Sequence, residues 1–195
     1  MARGSGRVII LGAGGHGRVV ADILALQGWR IDGFLDDRKQ GLVGGLPVLG
    51  PFARAFAPGF LHGRAAIVAL GDSTDRAAVS RSLLEHGSVL ASAVHPSAVV
   101  ARDAEIGAGS TVCAGAIIGV ASRVGRFCIV NTAASVDHDC VLEEGAFLGP
   151  GVRLCGGVRI GAGAFIGAGA VMLPGSVAEP GATIPAGTLV KPLAA

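Results

Sequence analysis

One histidine stands between two aspartates within residues 135–140, whose sequence is SVDHDC. Imidazole is the side chain whose ordinary pKa lies close enough to neutrality to accept a proton from a reacting group. A carboxylate bonded to the other ring nitrogen would fix the tautomer and raise the basicity. His138 is therefore a candidate general base, and the flanking Asp137 and Asp139 are both candidates for its partner. Because neighbouring side chains of a straight strand point to opposite faces, Asp139 reaches His138 only if the chain turns a corner there.

A glycine-rich segment, residues 12–17 with the sequence GAGGHG, follows a short apolar run and precedes a stretch of helical periodicity. Its spacing is G-x-G-x-x-G, and Asp36 follows about 20 residues later, as in dinucleotide-binding folds. Backbone N–H groups at a helix N-terminus also suit the phosphates of a nucleotide sugar. Three interpretations stay open: a dinucleotide site, a nucleotide-sugar site, and a plain glycine turn with exposed acids at Asp36 and Asp37.

Composition argues against several classes of protein. A formal charge of +2 and a pI near 8.5 are too slight for a nucleic-acid or anionic-lipid partner. Mean hydropathy is +0.62, yet Gly, Arg, Asp or Pro interrupts every apolar stretch before the ~18 residues of a membrane span. With no signal-peptide pattern and no CxxC pair among the four cysteines, we expect a cytoplasmic protein without a metal. Residues 94–195 contain two histidines, His95 and His138, which are too few for a three-histidine metal site in that part of the chain.

Residues 1–93 predict a small Rossmann-like domain. Continuous apolar runs alternate with helical patterns, which indicates a parallel sheet covered by helices. The predicted strands are residues 7–11, 31–35 and 66–70, and the predicted helices are residues 18–26 and 76–86. Every strand ends at Gly or Asp, and ligands bind beyond the carboxyl ends of parallel strands. We therefore expect the ligand site of this domain at that edge.

From residue 94 onward an aliphatic residue recurs at every sixth position. Fifteen of 17 such positions up to residue 190 are Val, Ile or Leu, and the other two are Met172 and Ala178. The residue four places later is small throughout: Ala, Ser, Cys, Val or Thr. A period of six predicts a parallel β-helix in which three hexads close one triangular coil. Residues 94–195 would form about five coils, with the aliphatic residue inward and the small residue at the corner.

Residues 94–195 resemble the hexapeptide-repeat acyltransferases, which fold as left-handed β-helices and use acyl-CoA. Periodicity alone does not give the handedness, so it is taken from this resemblance. Further motifs extend the resemblance over nearly the whole chain: the Gly-Gly-His-Gly loop, FLDD at residues 34–37, Leu70-Gly71 and VHPSA at residues 94–98. In this order they are similar to one subgroup, the nucleotide-amino-sugar N-acetyltransferases and their sialic acid O-acetyltransferase relatives.

The resemblance implies roles for individual residues. In the first domain, the implied contacts to a sugar nucleotide are Gly14, Gly15, His16, Asp36, Asp37 and Gly71. In the β-helix, it implies a catalytic role for His138 and Asp139, and an orienting role toward the amine for Asn131. The implied acetyl-CoA contacts are Gly156, Ala168 and Ala186.

Gly156 lies 18 residues, or one coil, after His138. Its N–H would therefore face the thioester oxygen and the negative charge that develops on it. Some relatives carry a second histidine about nine residues after the first, where this chain has Phe147, and this predicts a more apolar pocket.

The resulting prediction is an acetyl-CoA-dependent N-acetyltransferase that acts on the amino group of a nucleotide-linked amino sugar. One alternative is O-acetylation of a sialic-acid-type or other small hydroxyl acceptor, and another is a non-catalytic β-helix scaffold. A CoA groove needs two walls, whereas a single prism offers only convex corners. We therefore expect a homotrimer with the active sites between subunits.

Overall fold

The structure is a computed structural model that describes residues 6–192 of the 195-residue chain. The chain divides into two compact units between Ala93 and Val94. The outer ends of the two predicted domains, residues 1–5 and 193–195, lie outside the described residues. Within residues 6–192, no helix combines the length and the apolar character that a membrane crossing requires.

The first unit is a parallel sheet with helices between its strands. Its elements are β1 (Arg7–Leu11), α1 (Gly15–Leu26), β2 (Arg30–Leu35), β3 (Leu42–Val43), β4 (Leu46–Pro47), a 3-10 helix (Phe52–Phe56), β5 (Arg64–Val68), α2 (Ser73–Glu85) and β6 (Val89–Leu90). Strands β2, β1, β5 and β6 pair in this order, all parallel, while β3 and β4 form a separate antiparallel hairpin. The central strand β1 is apolar and fully buried from residue 8 to residue 11, which explains its unbroken apolar run.

The predicted Rossmann-like arrangement is confirmed, with shifts at some element ends. The first strand has the predicted bounds, but β5 begins and ends two residues earlier than predicted because Arg64 already pairs with Arg7. Both helices begin three residues earlier than predicted. At α2 the reason is the Asp72 side chain, which accepts a hydrogen bond from the Asp75 N–H and caps the helix (2.9 Å).

The second unit is a parallel β-helix built from 17 strands of two residues each. Strands β7 to β23 are Ala93–Val94, Val99–Val100, Glu105–Ile106, Thr111–Val112, Ile117–Ile118, Arg123–Val124, Ile129–Val130, Ser135–Val136, Val141–Leu142, Phe147–Leu148, Arg153–Leu154, Arg159–Ile160, Phe165–Ile166, Val171–Met172, Val177–Ala178, Thr183–Ile184 and Leu189–Val190. They form three sheets in which residues 18 apart pair, as Val136 does with Ile118 and Leu154. The aliphatic hexad residues stack into one core, which confirms the predicted coil of three hexads.

Fourteen consecutive corners of the β-helix each contain one residue in the left-handed backbone conformation. We number a hexad from its inward aliphatic residue, so that the small residue is the fifth. From residue 109 to residue 187 the fourth residue of each hexad has a positive φ. Ten of these fourteen residues are glycine. The other four are consecutive in the repeat: Ala121, Phe127, Ala133 and Asp139, with φ between 55° and 59°. A side chain in this conformation costs roughly 1–2 kcal/mol, and Asp tolerates it better than most residues do.

Candidate active site

The imidazole of His138 is paired with the carboxylate of the next residue. Its Nδ1 lies 2.7 Å from Oδ2 of Asp139. This contact between neighbours is possible because Asp139 has a φ of +58°, so the chain turns the corner that the prediction required. Asp137 is not the ring partner, because its Oδ1 accepts the backbone N–H of His138 instead (2.8 Å).

The pair determines which ring nitrogen of His138 is available. A carboxylate only accepts hydrogen bonds, so Nδ1 carries the proton and the lone pair of the neutral ring is on Nε2. The hydrogen bond to Asp139 raises the pKa of His138 above its ordinary value, and the charge of Asp137 raises it further. The side chain is 60% exposed, so the ring is open to an incoming substrate. The arrangement is that of an accessible base with an oriented tautomer.

Gly156 lies directly against the free edge of this ring. A Cβ added to Gly156 would stand 2.5 Å from Cε1 and 2.6 Å from Nε2 of His138, so only glycine fits beside the imidazole in this position. Within residues 6–192 the Gly156 N–H donates no hydrogen bond. Gly156 is the third residue of its hexad, and proline takes the same hexad position at residues 96, 150, 174 and 180. The coil therefore does not need this N–H for its own hydrogen bonding.

Ala168 and Ala186 also occupy third positions, and their N–H groups likewise donate no hydrogen bond in the part of the chain that the structure describes. They are 18 residues apart and stack on one corner, but that corner is not the corner of His138. Cβ atoms added to Gly149 and Gly167 would stand 2.7 Å and 2.4 Å from the nitrogens of Ala168 and Ala186. The absence of side chains there keeps this corner flat.

Asn131 lies at the corner of Ala168 rather than beside His138. Its Oδ1 accepts the N–H of Thr132 (2.8 Å), and Thr132 stacks two coils below Ala168 in the hexad register. A single chain therefore does not bring Asn131 to the His138 ring. Phe147 stacks on Phe165 with 4.7 Å between ring centroids, and this pair makes an apolar surface on the strand that leads to the Ala168 corner.

A pocket of about 620 Å³ lies at the carboxyl ends of β1, β2 and β5. Its lining includes all six residues predicted for the first domain: Gly14, Gly15, His16, Asp36, Asp37 and Gly71. Strand β1 has β2 on one side and β5 on the other, so the pocket lies where the strand order reverses. Ligands of open α/β sheets bind at this place, and the volume suits a small-molecule site.

The four glycines of the loop fall into two kinds. Gly12 has a φ of +112°, and a Cβ at Gly17 would stand 1.9 Å from the Gly12 carbonyl oxygen. These two glycines are required by the turn and by the close packing of α1. Cβ atoms at Gly14 and Gly15 would meet nothing within 4 Å. The backbone of these middle glycines is therefore open to the pocket, as a bound phosphate requires.

Asp36 and Asp37, the two acids that follow β2, both accept hydrogen bonds from backbone N–H groups. Asp36 accepts the N–H of Ala13 through Oδ2 (2.8 Å) and those of Arg38 and Lys39 through Oδ1 (2.9 Å each). Burial alone would raise the pKa of Asp36, but these hydrogen bonds hold it below the ordinary value. Asp37 accepts an N–H from the 3-10 helix (2.8 Å). Asp36 is thus largely committed to holding the loop, which weakens the dinucleotide interpretation, since that needs the acid for a ribose.

His16 is neutral at physiological pH. Burial, and then the positive charge of Arg76, lower its pKa to about 4. Its Nε2 is buried and has no hydrogen-bond partner among the described residues. His16 therefore lines the pocket as a neutral ring and brings no positive charge to it.

Arg76 is a site residue that the sequence analysis missed. It is 1% exposed, and its guanidinium donates to the carbonyl oxygens of Leu70 (3.0 Å) and Gly71 (3.1 Å). It thereby holds the turn after β5 that lines the pocket. The available signal was its place on the first turn of α2, directly after that turn. No cluster of three or more metal-ligating side chains occurs in residues 6–192.

Comparison with known proteins gives two family matches. Residues 7–83 match the PglD N-terminal domain, and residues 139–174 match the bacterial transferase hexapeptide family with six repeats. Among curated proteins, none matches the chain.

Solved structures match over nearly the whole chain. The acetyltransferase domain of PglB from Neisseria gonorrhoeae FA1090 is 37% identical, with a TM-score of 0.92 over 95% of this chain and 91% of that one. The same domain in complex with acetyl coenzyme A is 36% identical, with a TM-score of 0.90 over 96% and 94%.

A histidine-to-asparagine variant of perosamine N-acetyltransferase from Caulobacter crescentus, in complex with CoA and GDP-perosamine, is similar to the same degree. It is 36% identical, with a TM-score of 0.90 over 97% of this chain and 90% of that one. The chain is therefore an acyltransferase, and it belongs to the left-handed β-helix acetyltransferases that join a PglD N-terminal domain to hexapeptide repeats.

Proposed function

We propose that this protein transfers the acetyl group of acetyl-CoA to the amino group of a nucleotide-linked amino sugar. The observation that carries the proposal is the His138–Asp139 pair, whose free Nε2 lies against Gly156 and its unbonded N–H. The acceptor class is supported by the similar perosamine N-acetyltransferase, which was crystallised with CoA and GDP-perosamine.

Acetyl-CoA supplies the acetyl group as an activated thioester. The free amine of the sugar forms the new C–N bond, and Nε2 of His138 accepts the proton that the nitrogen then loses. The Gly156 N–H donates to the carbonyl oxygen on which negative charge develops. Asp139 holds the ring with Nε2 outward and stabilises the imidazolium that forms. The proton returns to the sulfur as the C–S bond breaks, so the base is regenerated.

The pocket of the first unit is the proposed site of the nucleotide part of the acceptor. Gly14 and Gly15 present open backbone to it, and the N-terminus of α1 favours a bound phosphate. Neutral His16 lines the pocket from the same loop. For Asp36 we propose a role in holding this loop, alongside the contact to base or ribose that the resemblance implies for Asp36 and Asp37.

We propose that the active protein is a homotrimer. The His138–Gly156 corner and the Ala168–Ala186 corner are different corners of one prism, so a CoA molecule that uses both needs two neighbouring copies. Val99, Ile117 and Leu189 also project from one face of the prism and are 62%, 44% and 55% exposed.

Light scattering on an active preparation is expected to give three times the chain mass, and a monomer mass would contradict the proposal.

A matched pair of acceptors tests the reaction. With acetyl-CoA present, a nucleotide sugar that carries an amino group is expected to release CoA thiol rapidly, whereas the analogue with a hydroxyl at the same carbon releases it slowly. A thiol assay measures both rates, and a reaction without acceptor corrects for hydrolysis. Faster release with the hydroxyl compound would favour the O-acetyltransferase alternative, and no CoA binding at millimolar concentration would contradict the proposal.

Replacing His138 by alanine is expected to lower kcat by about 10² to 10⁴-fold, the usual contribution of a general base. Binding of acetyl-CoA, measured by calorimetry, is expected to persist because the third-position N–H groups are unchanged. His95→Ala is the control, since it removes the only other histidine of residues 94–195. If the His138→Ala enzyme kept nearly full kcat at neutral pH, His138 would not be the general base. Positioning of the amine beside the thioester would then have to explain the rate.

Asp139→Asn is expected to move the acid limb of the pH–rate profile downward. Asp139 raises the pKa of His138, and only the neutral ring accepts a proton, so wild-type activity is lost as the pH falls through that raised pKa. Without the carboxylate the ring stays neutral to lower pH, and kcat falls less than in His138→Ala. Asp103→Asn is the control, because Asp103 holds the same hexad position two coils earlier. If the acid limb of the pH–rate profile were unchanged in Asp139→Asn, the His138–Asp139 pair would not determine the pH dependence of the rate.

A further inference from the structure

The corner that carries His138 contains a buried hydroxyl group from the preceding coil. Ser122 is fully buried, and its Oγ donates to the carbonyl oxygen of Asp137 at 2.5 Å. The same Oγ accepts the N–H of Cys140 at 3.0 Å. The hydroxyl thus bridges the two residues that flank His138 and Asp139.

Three other corners of the same stack close differently. At residues 101–104, 119–122 and 173–176 the N–H of the fifth hexad residue donates directly to the carbonyl of the second residue, at 3.2, 3.3 and 3.0 Å. At the His138 corner the Cys140 N–H goes to Ser122 Oγ instead. The hydroxyl is therefore inserted into the turn hydrogen bond and holds this corner open.

We propose that Ser122 is a positioning residue for the His138–Asp139 pair. The inference rests on the proposed role of His138 as the base. Because Ser122 fixes the carbonyl before His138 and the N–H after Asp139, it sets the backbone from which both side chains project. With alanine at residue 122, the Cys140 N–H would either donate directly to the Asp137 carbonyl or leave both of these buried groups without a partner. Either change moves the ring relative to its carboxylate.

The electrostatic surroundings of His138 make its pKa a direct measure of this geometry. The charged groups that raise it are Asp139 and Asp137, both on the same turn. The residues that stack below and above it, Val120 and Gly156, carry no charge. A loss of alignment with Asp139 therefore lowers the pKa of His138 without compensation from neighbouring coils.

The chain offers a matched control for Ser122→Ala. Ser110 makes the same two hydrogen bonds at another corner, to the Gly125 carbonyl (2.8 Å) and from the Cys128 N–H (2.9 Å). Ser110→Ala thus removes an equivalent buried bridge away from His138. Ser122→Cys is the conservative variant, because Cys140 uses its own thiol in this way and donates to the Cys155 carbonyl (3.2 Å).

The experiment measures kcat, the KM for acetyl-CoA, the acid limb of the pH–rate profile, and the NMR titration of His138 in the three variants. Ser122→Ala is expected to lose about 10-fold or more in kcat with KM within about twofold, since misplacing a catalytic group costs rate. Its acid limb and the His138 pKa should both move downward. Ser110→Ala should keep the wild-type limb and pKa, and Ser122→Cys should recover part of the loss.

Two results would overturn the inference: a Ser122→Ala enzyme with the wild-type rate and pKa, or equal losses in both alanine variants with the His138 pKa unchanged. The second would mean that Ser122 serves the fold alone. If His138→Ala proved fully active, the proposed function would fail first. The NMR titration needs no turnover, and a lower His138 pKa in Ser122→Ala would still support the positioning role, while an unchanged pKa would still refute it.

Discussion

The left-handed residue at each of fourteen consecutive corners, from residue 109 to residue 187, is the constraint on which the rest of the β-helix depends. Glycine meets it at ten of fourteen consecutive corners because it has no Cβ to strain. Glycine also has no carboxylate, so a corner that must place an acid beside its histidine needs another residue. At Asp139 the chain accepts a left-handed aspartate, and the same turn brings the acid against His138. Nothing in the structure assigns a comparable role to the left-handed side chains at Ala121 and Ala133.

A second constraint places the available N–H donors of the candidate site at different corners of the β-helix. The stacked strands use the backbone groups of the flat faces for hydrogen bonds between coils. The N–H of the third residue of a hexad points outward, and the coil does not need it for its own hydrogen bonds. Proline at residues 150, 174 and 180 removes this N–H, while Gly156, Ala168 and Ala186 retain it. The hexad repeat thus leaves donors available for a ligand without loss of internal hydrogen bonds. The same regularity spreads these donors over separate corners of the β-helix, and the proposal of a site shared between copies rests on this separation.

The features that follow from a repeating period were predictable from the sequence. A period of six specifies the inward ladder and the small corner residue, so the coil and the stacking of Gly156 on His138 follow directly. The contact of Asp139 with His138 was predictable only on condition that a corner fell there. Ser122 was not predictable, because the pattern treats Ser, Ala and Cys as equally small. Its bonds join residues 15 and 18 apart, and only the closed coil shows that the hydroxyl enters the turn.

The first unit shows similar limits. The parallel sheet was predictable from continuous apolar runs, but its strand order was not, and β6 has two residues, too few for a pattern. Asp36 was identified by its spacing from the glycine loop, yet its hydrogen bonds to the loop depend on how β1 and β2 end side by side. Arg76 was assigned only to a helix, since nothing in its own position indicates that its guanidinium turns back to the carbonyls of residues 70 and 71.

The most direct measurement is the tautomer of neutral His138, read from the ¹⁵N shifts of its imidazole in the wild-type protein above its pKa. The account predicts a proton on Nδ1, bonded to Asp139, and a free lone pair on Nε2 beside Gly156. A ring protonated mainly on Nε2 would contradict it, because the nitrogen facing Gly156 would then have no lone pair to take the proton of an attacking amine.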